Sequence, residues 1–206
     1  MRKIADSTVR RLSLYLRFLE AFEEQGIATV SSESLATRGG TTSAQVRKDL
    51  SFFGSFGKRG LGYSVPELAA KLRDILGLGS EYRVAVIGAG NIGRALVRFR
   101  GFERRGFKVV SVYDMDPEKI GERWNGLTVQ DQVQLDADLR REPVDIAIIV
   151  TPWSVAQELA DRLVSAGVRA ILNFAPIQLR TPDDVLVKNV NLALELEALS
   201  YGLRNS

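Results

Sequence analysis

VAVI (84–87), a run of strand formers, passes without a break into Gly88-Ala89-Gly90-Asn91-Ile92-Gly93 and on into RALV, which favours helix. Few folds accommodate that succession. In G-x-G-x-x-G spacing the first glycine permits a tight turn and the second lets the backbone approach a pyrophosphate. The third lets the helix lie close on the strand. An anion would then sit at the helix N-terminus, where free N–H groups and the helix dipole favour it. A glycine-rich turn alone is a weak signal, so its surroundings decide. Strand candidates at 82–87 (YRVAVI), 107–113 (FKVVSVY), 144–150 (VDIAIIV) and 168–173 (VRAILN) are largely apolar on both faces, as buried parallel strands are. Helical stretches at 91–100 and 153–166 lie between them. The alternation predicts a doubly wound, Rossmann-type parallel sheet.

Asp114 closes the second strand, 21 residues beyond Gly93, where an acid meets adenosine ribose hydroxyls and repels a 2′-phosphate. Gly88, Ala89, Gly90, Asn91, Ile92, Gly93 and Asp114 are therefore candidate cofactor-binding residues, with NAD(H) the expected cofactor. TPWS (151–154) and NFAP (173–176) leave the same carboxyl edge of the sheet, where ligands bind in such folds. Thr151, Pro152, Asn173, Ala175 and Pro176 join the candidates there, nearer the nicotinamide half.

The first eighty residues read differently. Apolar residues at Val9, Leu12, Leu16 and Leu19, widened by Tyr15 and Phe22, recur with a helical period, and Gly26 is a natural stop. SSESLA (31–36) offers serine caps to a short helix that RGG (38–40) ends. Thr42 followed by Gln45 makes a capping-box pattern, opening a helix over about 43–53. Its core face is Val46, Leu50 and Phe53; Ala44, Arg47, Lys48 and Ser51 lie toward the other side. GSFGKRGLGY (54–63) suits a small hairpin, and Pro66 opens a helix that buries Leu68, Leu72 and Ile75 or Leu76. Three helices and a glycine-tipped hairpin are the plan of a winged helix-turn-helix. GLGS (77–80) marks the linker.

Charge divides along the same line. Residues 1–80 carry 12 Lys+Arg against 8 Asp+Glu, and residues 81–206 carry 16 against 17. From Arg38 to Arg59 the only acid is Asp49. Basic residues gathered in one small unit suit a polyanion, although a solvated basic face would look the same.

The chain has no histidine and no cysteine, which removes the commonest acid/base and nucleophilic side chains and any thiolate metal site. Residues 81–206 amount to little more than a dinucleotide domain, with no room for a substrate domain. Tyr113, Tyr201 and Lys119 are available as proton donors, but none stands in a Y-x-x-x-K spacing. Catalysis is therefore not expected, and no metal either. No apolar run reaches the roughly 20 residues of a membrane span, and the first residues lack a secretory core, so a cytoplasmic protein is expected. Two alternatives stand beside the DNA-binding reading. One is a small NAD-dependent oxidoreductase with a helical N-terminal appendage; the other is a scaffold whose dinucleotide fold binds nothing.

VSSESLATRGGTTSAQVRKDLSFFGSFGKRGLGYSV (30–65), GAGNIG, YDMDPEKIG (113–121), TPWSVAQ (151–157), ILNFAP (171–176) and NVNLALELEALSYGL (189–203) together resemble the Rex family of redox-sensing transcriptional repressors. The similarity runs from about residue 8 to residue 203, and QVRKDLSFFGSFGKRGLGY is its most specific part. The resemblance implies a homodimer that binds a palindromic operator in double-stranded DNA when NAD⁺ prevails and releases it when NADH binds. It assigns residues 1–78 to a winged-helix DNA-binding domain and 79–190 to an NAD(H)-binding domain. Residues 191–206 become a final helix swapped between subunits. It places the helix bearing Ser43, Gln45, Arg47, Lys48 and Ser51 in the major groove and Lys58, Arg59 and Gly60 at the wing tip, in the minor groove. It also makes Arg17, in the first helix, a coupling residue between the domains. Two positions depart from the family. Many members have a tyrosine at Phe99 and an aspartate at Asn191, whose hydrogen bond belongs to one state of the switch. Operator binding is expected to survive these departures; they bear on the NADH-driven release, and a divergent member whose response is weakened, reversed or tuned differently is the alternative.

Overall fold

The computed structural model describes residues 4–54, 56–57 and 61–205. They form two units, Met1–Ser80 and Glu81–Ser206. The first contains α1 (Asp6–Glu24), β1 (Thr29–Val30), α2 (Ser32–Gly39), α3 (Ser43–Ser51), β2 (Tyr63–Ser64) and α4 (Val65–Ile75). Leu12, Tyr15, Leu16, Leu19 and Phe22 make the buried stripe of α1. Val9, expected in that stripe, is 41% exposed. The stripe steps back four residues from Leu12 instead of three, which buries Thr8 in its place.

Ser31 caps α2 by accepting from the Ser34 N–H, and Gly40, in the left-handed region, turns the chain toward α3. Thr42 Oγ1 accepts from the Gln45 N–H at 3.1 Å, so half of the expected capping box forms. The returning half does not, because the Gln45 amide donates to Asp49 instead. α3 ends at Ser51, two residues early; Phe52 is exposed, while Phe53 packs against the unit's core. β1 and β2 pair antiparallel, Val30 with Tyr63. The wing expected at 54–63 falls partly on residues 55 and 58–60, outside the described residues. Pro66 stands in the first turn of α4, which buries Val65, Leu68, Ala69 and Leu72.

The second unit contains β3 (Tyr82–Ile87), α5 (Asn91–Arg98), β4 (Phe107–Asp114), β5 (Arg123–Trp124), β6 (Leu127–Asp131), α6 (Leu135–Arg141), β7 (Ile146–Ile149), α7 (Trp153–Ser165), β8 (Ala170–Asn173), β9 (Leu186–Asn189) and α8 (Leu192–Asn205). The sheet order is β5-β6-β4-β3-β7-β8-β9, parallel except for β5. Without β5 this is the 3-2-1-4-5-6 order of a complete doubly wound dinucleotide fold. Alternate residues of β3 serve opposite faces. Ala85 and Ile87 join Leu135, Leu159 and Leu163, and Val84 and Val86 join Val97 and Trp124. β3 and β7 lie side by side while the chain leaves them in opposite directions, so a crevice opens at their carboxyl ends. β5, β6, β9 and α6 were not anticipated: they are short, and their polar residues break any apolar run. No residue of α8 is buried.

Candidate nucleotide site and nucleic-acid interface

At the carboxyl end of β3 the chain turns through Gly88, whose φ of +112° suits glycine. A Cβ there would also meet the Val150 carbonyl oxygen at 2.8 Å. Gly93 is required by space alone, since its Cβ would collide with the Gly88 carbonyl oxygen. Gly90 differs from both. Its φ is −82° and a Cβ would meet nothing within 4 Å, so neither backbone conformation nor packing calls for glycine. The remaining reason is room for something that is not protein. Gly90 is also the N-cap of α5, which has no side-chain cap, so the first-turn N–H groups of Asn91, Ile92 and Gly93 face that space unpaired by any side chain.

Two anchors hold the loop from beneath. The Gly88 N–H donates to the Tyr113 carbonyl at 2.8 Å, and the Ala89 N–H makes a short hydrogen bond to Asp114 Oδ2. Asp114 Oδ1 accepts from the Asp116 N–H at 2.9 Å, and Lys119 Nζ stands 3.8 Å from Oδ2. A carboxylate has about four acceptor positions. Asp114 therefore shapes the loop and keeps capacity for hydroxyl donors.

Across the crevice, Thr151 follows β7. Its Oγ1 is buried with no hydrogen-bond partner among the described residues. Pro152 and Pro176 are exposed on the same edge. Asn173 is fully buried: its Nδ2 lies within hydrogen-bond distance of the carbonyls of Ala175 and Ile177 and of Asn189 Oδ1, and its Oδ1 accepts from the Ala175 N–H. Asn173 and the buried Ala175 thus stiffen this edge from below. Sequence reasoning passed over Trp153, 64% exposed at the first turn of α7. Its signal was a large aromatic directly after Pro152 on the ligand edge.

Two titratable side chains of this unit, Tyr113 and Lys119, are shifted away from neutrality. Burial pushes the Tyr113 hydroxyl up to about 12. The Lys119 ammonium is raised by its hydrogen bond to Asp116, at 3.0 Å. Both shifts move away from the range a general acid needs.

In the first unit, α3 presents Arg47, Lys48 and Ser51 to solvent, with Ser43 half-buried in its first turn. Arg47 donates to Ser32 Oγ at 3.0 Å, which orients its guanidinium, and Ser51 Oγ donates to the Lys48 carbonyl. Gln45 is half-buried, its amide committed to Asp49 Oδ1 at 2.8 Å. Asp49, the one acid between Arg38 and Arg59, has a side chain with no exposure. The described surface of that segment therefore carries cations without a counter-charge. Sequence reasoning missed this burial, although Val46, Asp49, Leu50 and Phe53 follow the helical core spacing. Lys58, Arg59 and Gly60 lie outside the described residues.

Arg17 is exposed on α1. Phe99, which ends α5, is 58% exposed, edge-on to Phe102 at 5.1 Å between ring centroids and over Gly101, where a Cβ would clash with its ring. Asn191 Oδ1 accepts from the Ala193 and Leu194 N–H groups at the start of α8. An asparagine caps a helix as well as an aspartate does. Among the described residues no helix is long and apolar enough to cross a membrane, and no group of three or more acidic, histidine or cysteine side chains is placed to hold a metal ion.

Comparison with known proteins agrees with this geometry. Residues 3–51 match a family model described as a putative DNA-binding protein N-terminus, and residues 79–177 match one described as a CoA binding domain. The chain is 48% identical over 202 residues to the redox-sensing transcriptional repressor Rex of Carboxydothermus hydrogenoformans, covering 98% of this chain and 97% of that protein. The Rex of Streptomyces coelicolor is 44% identical, over 97% of this chain and 78% of its own length. Among solved structures, RSP in complex with β-NAD⁺ and operator DNA superposes with a TM-score of 0.95 at 39% identity, covering 100% of this chain and 94% of that one. RSP in complex with β-NADH gives 0.91 at 38%, covering 100% and 96%. The chain belongs to the Rex family of redox-sensing transcriptional repressors.

Proposed function

We propose that this protein is a cytoplasmic, homodimeric repressor that binds a palindromic operator through α3 and the wing, and releases it when NADH replaces NAD⁺ in the second unit. The observation that carries this reading is the coexistence, in one chain, of an acid-free basic face on α3 and a glycine loop with room at Gly90 that the fold does not need. The relatives support its direction, since RSP was crystallised with NAD⁺ together with operator DNA and separately with NADH. NAD(H) supplies a nicotinamide ring that is cationic when oxidised and neutral when reduced. The first-turn N–H groups of α5 would hold its pyrophosphate and Asp114 its adenosine ribose. Thr151 Oγ1, buried without a partner among the described residues, would find one there.

On the DNA side, Arg47 is suited to paired acceptors on a guanine edge, and Lys48 to a base or a phosphate. The exposed leucines of α8 would be covered by the second subunit. A ligand moves such an equilibrium only by its difference in affinity for the two states, so NADH and operator oppose each other reciprocally. Phe99 cannot donate a hydrogen bond and Asn191 Oδ1 is occupied as a cap, so the response to NADH does not run through a bond between them.

The test is a gel shift on a palindromic duplex with each cofactor titrated in. Retardation with NAD⁺ that NADH weakens is expected. No specific shift with either cofactor sinks the repressor reading, and a shift indifferent to both sinks redox sensing. Lys48→Ala should weaken binding and, where Lys48 meets a phosphate and not a base, flatten the salt dependence by about one unit of slope.

A further inference from the structure

Asp49 is held by four hydrogen bonds from three side chains. Its Oδ2 accepts from Arg11 Nε at 2.6 Å and from the Tyr15 hydroxyl at 3.1 Å. Its Oδ1 accepts from Arg11 Nη2 at 2.8 Å and from Gln45 Nε2 at 2.8 Å. Thr8 Oγ1 accepts a further Arg11 N–H at 3.1 Å. Every acceptor position of the carboxylate is thereby engaged, and its partners come from two helices, α1 and α3.

Holding two helices together does not require this. A well-packed apolar pair of the same volume generally stabilises as well as a buried ion pair, or better. Directional bonds add geometric definition. Val46 and Leu50 meet the core through contacts that tolerate a small slide or rotation of α3, whereas a two-pronged guanidinium–carboxylate pair does not. The distinction matters for a helix that reads bases. Hydrogen bonds to base edges need the side chains in one place, while attraction to phosphates needs only charge nearby.

We infer that Asp49 is a positioning residue for operator recognition: through Arg11 and Tyr15 it sets the rotation and register of α3 on α1. It also draws the Gln45 amide away from the bases, leaving Arg47 and Lys48 to meet them in a single pose. This rests on the repressor reading above. The electrostatics agree with the geometry. Burial alone would push the Asp49 carboxyl up, but the donors from Arg11, Gln45 and Tyr15 outweigh it and hold the carboxyl below its ordinary value. The pair is therefore charged whenever the protein meets DNA.

The test uses the full-length protein and two duplexes of equal composition, one that the wild-type protein selects from a random-sequence pool and one scrambled. With Asp49→Asn, affinity for the selected duplex should fall by about tenfold or more and affinity for the scrambled one by less than about twofold, because phosphate attraction survives a misplaced helix. A purely stabilising residue would lower both by one factor, and an unchanged ratio overturns the proposal. If Asp49→Asn does not fold, the R11M/D49L double substitution, an apolar pair, carries the same measurement. A wild-type melting temperature with a collapsed ratio supports the inference, and a wild-type ratio overturns it. Failure of the wild-type protein to select any sequence would instead be a failure of the repressor reading, visible before any variant is made.

Discussion

Two buried carboxylates, one in each unit, are held in opposite ways. Asp49 is gripped by side chains, those of Arg11, Tyr15 and Gln45, and has no acceptor position left. Asp114 is gripped by backbone, the N–H groups of Ala89 and Asp116, and retains capacity. Side-chain partners from a distant helix turn a carboxylate into a lock between elements. Backbone partners from its own loop and a neighbouring one stiffen a turn and leave the acid able to meet a ligand. The same chemical group thus serves as the inside of one site and the wall of another.

Removing the lock should have the largest effect. Asp49→Ala strands the Arg11 guanidinium, three-quarters buried, and should cost about 3–5 kcal/mol in denaturant unfolding. Asp114→Asn should cost only about 1 kcal/mol, since the amide oxygen can keep one backbone donor, but it should weaken NADH binding, read by fluorescence, about tenfold. Equal stability costs would erase the contrast between lock and wall.

Acid sharpens the same comparison. The Asp49 carboxyl titrates lower in the folded protein than its ordinary value near 4. Its contribution is therefore full above about pH 4 and is lost as the pH falls through the lower folded-state value. Melting temperature followed against pH should show this acid-dependent loss in the wild type and lack it in Asp49→Asn. A loss of equal size in both would mean that other groups govern acid unfolding.

The glycine loop offers a smaller contrast within the second unit. Gly93→Ala drives a methyl into the Gly88 carbonyl and should cost about 1–3 kcal/mol. Gly90→Ala meets no protein atom within 4 Å, so stability should stay within about 0.5 kcal/mol, yet NADH affinity should drop sharply. A destabilised Gly90→Ala protein, or one with unchanged NADH affinity, would remove Gly90 from the site. Smallest of all should be Thr151→Val. It deletes a buried hydroxyl without a partner among the described residues, so stability should hold or rise by up to about 1 kcal/mol while NADH binding weakens a few-fold.

Much of this is legible in the sequence. The strand, the three glycines and Asp114 were in place, as were the stripe of α1 and the caps Ser31 and Thr42. What escaped notice has physical causes. The edge strands β5 and β9 and the neighbouring β6 are short and carry polar residues, so no apolar run announces them. Val9 and Thr8 stand equally well behind Leu12 on a helical wheel, and the hydrogen bond from Arg11 to Thr8 favours the polar one inside. Gln45 satisfied the capping pattern in sequence, but a carboxylate one turn onward drew its amide away.

The sequence by itself determined the features whose causes lie within a few residues: helical period, N-caps, the left-handed glycine turns, and the strand-to-loop succession that opens the nucleotide fold. Tertiary structure alone decided that Asp49 finds Arg11, 38 residues away, and that the Thr151 hydroxyl, beside β3 and β7, has no partner among the described residues. It also decided that Gly90 borders open space while Gly93 does not. The physical reason is the range of the interactions. Backbone conformation and capping are settled between near neighbours, whereas whether a polar group is paired, saturated or left over depends on what the rest of the chain brings beside it.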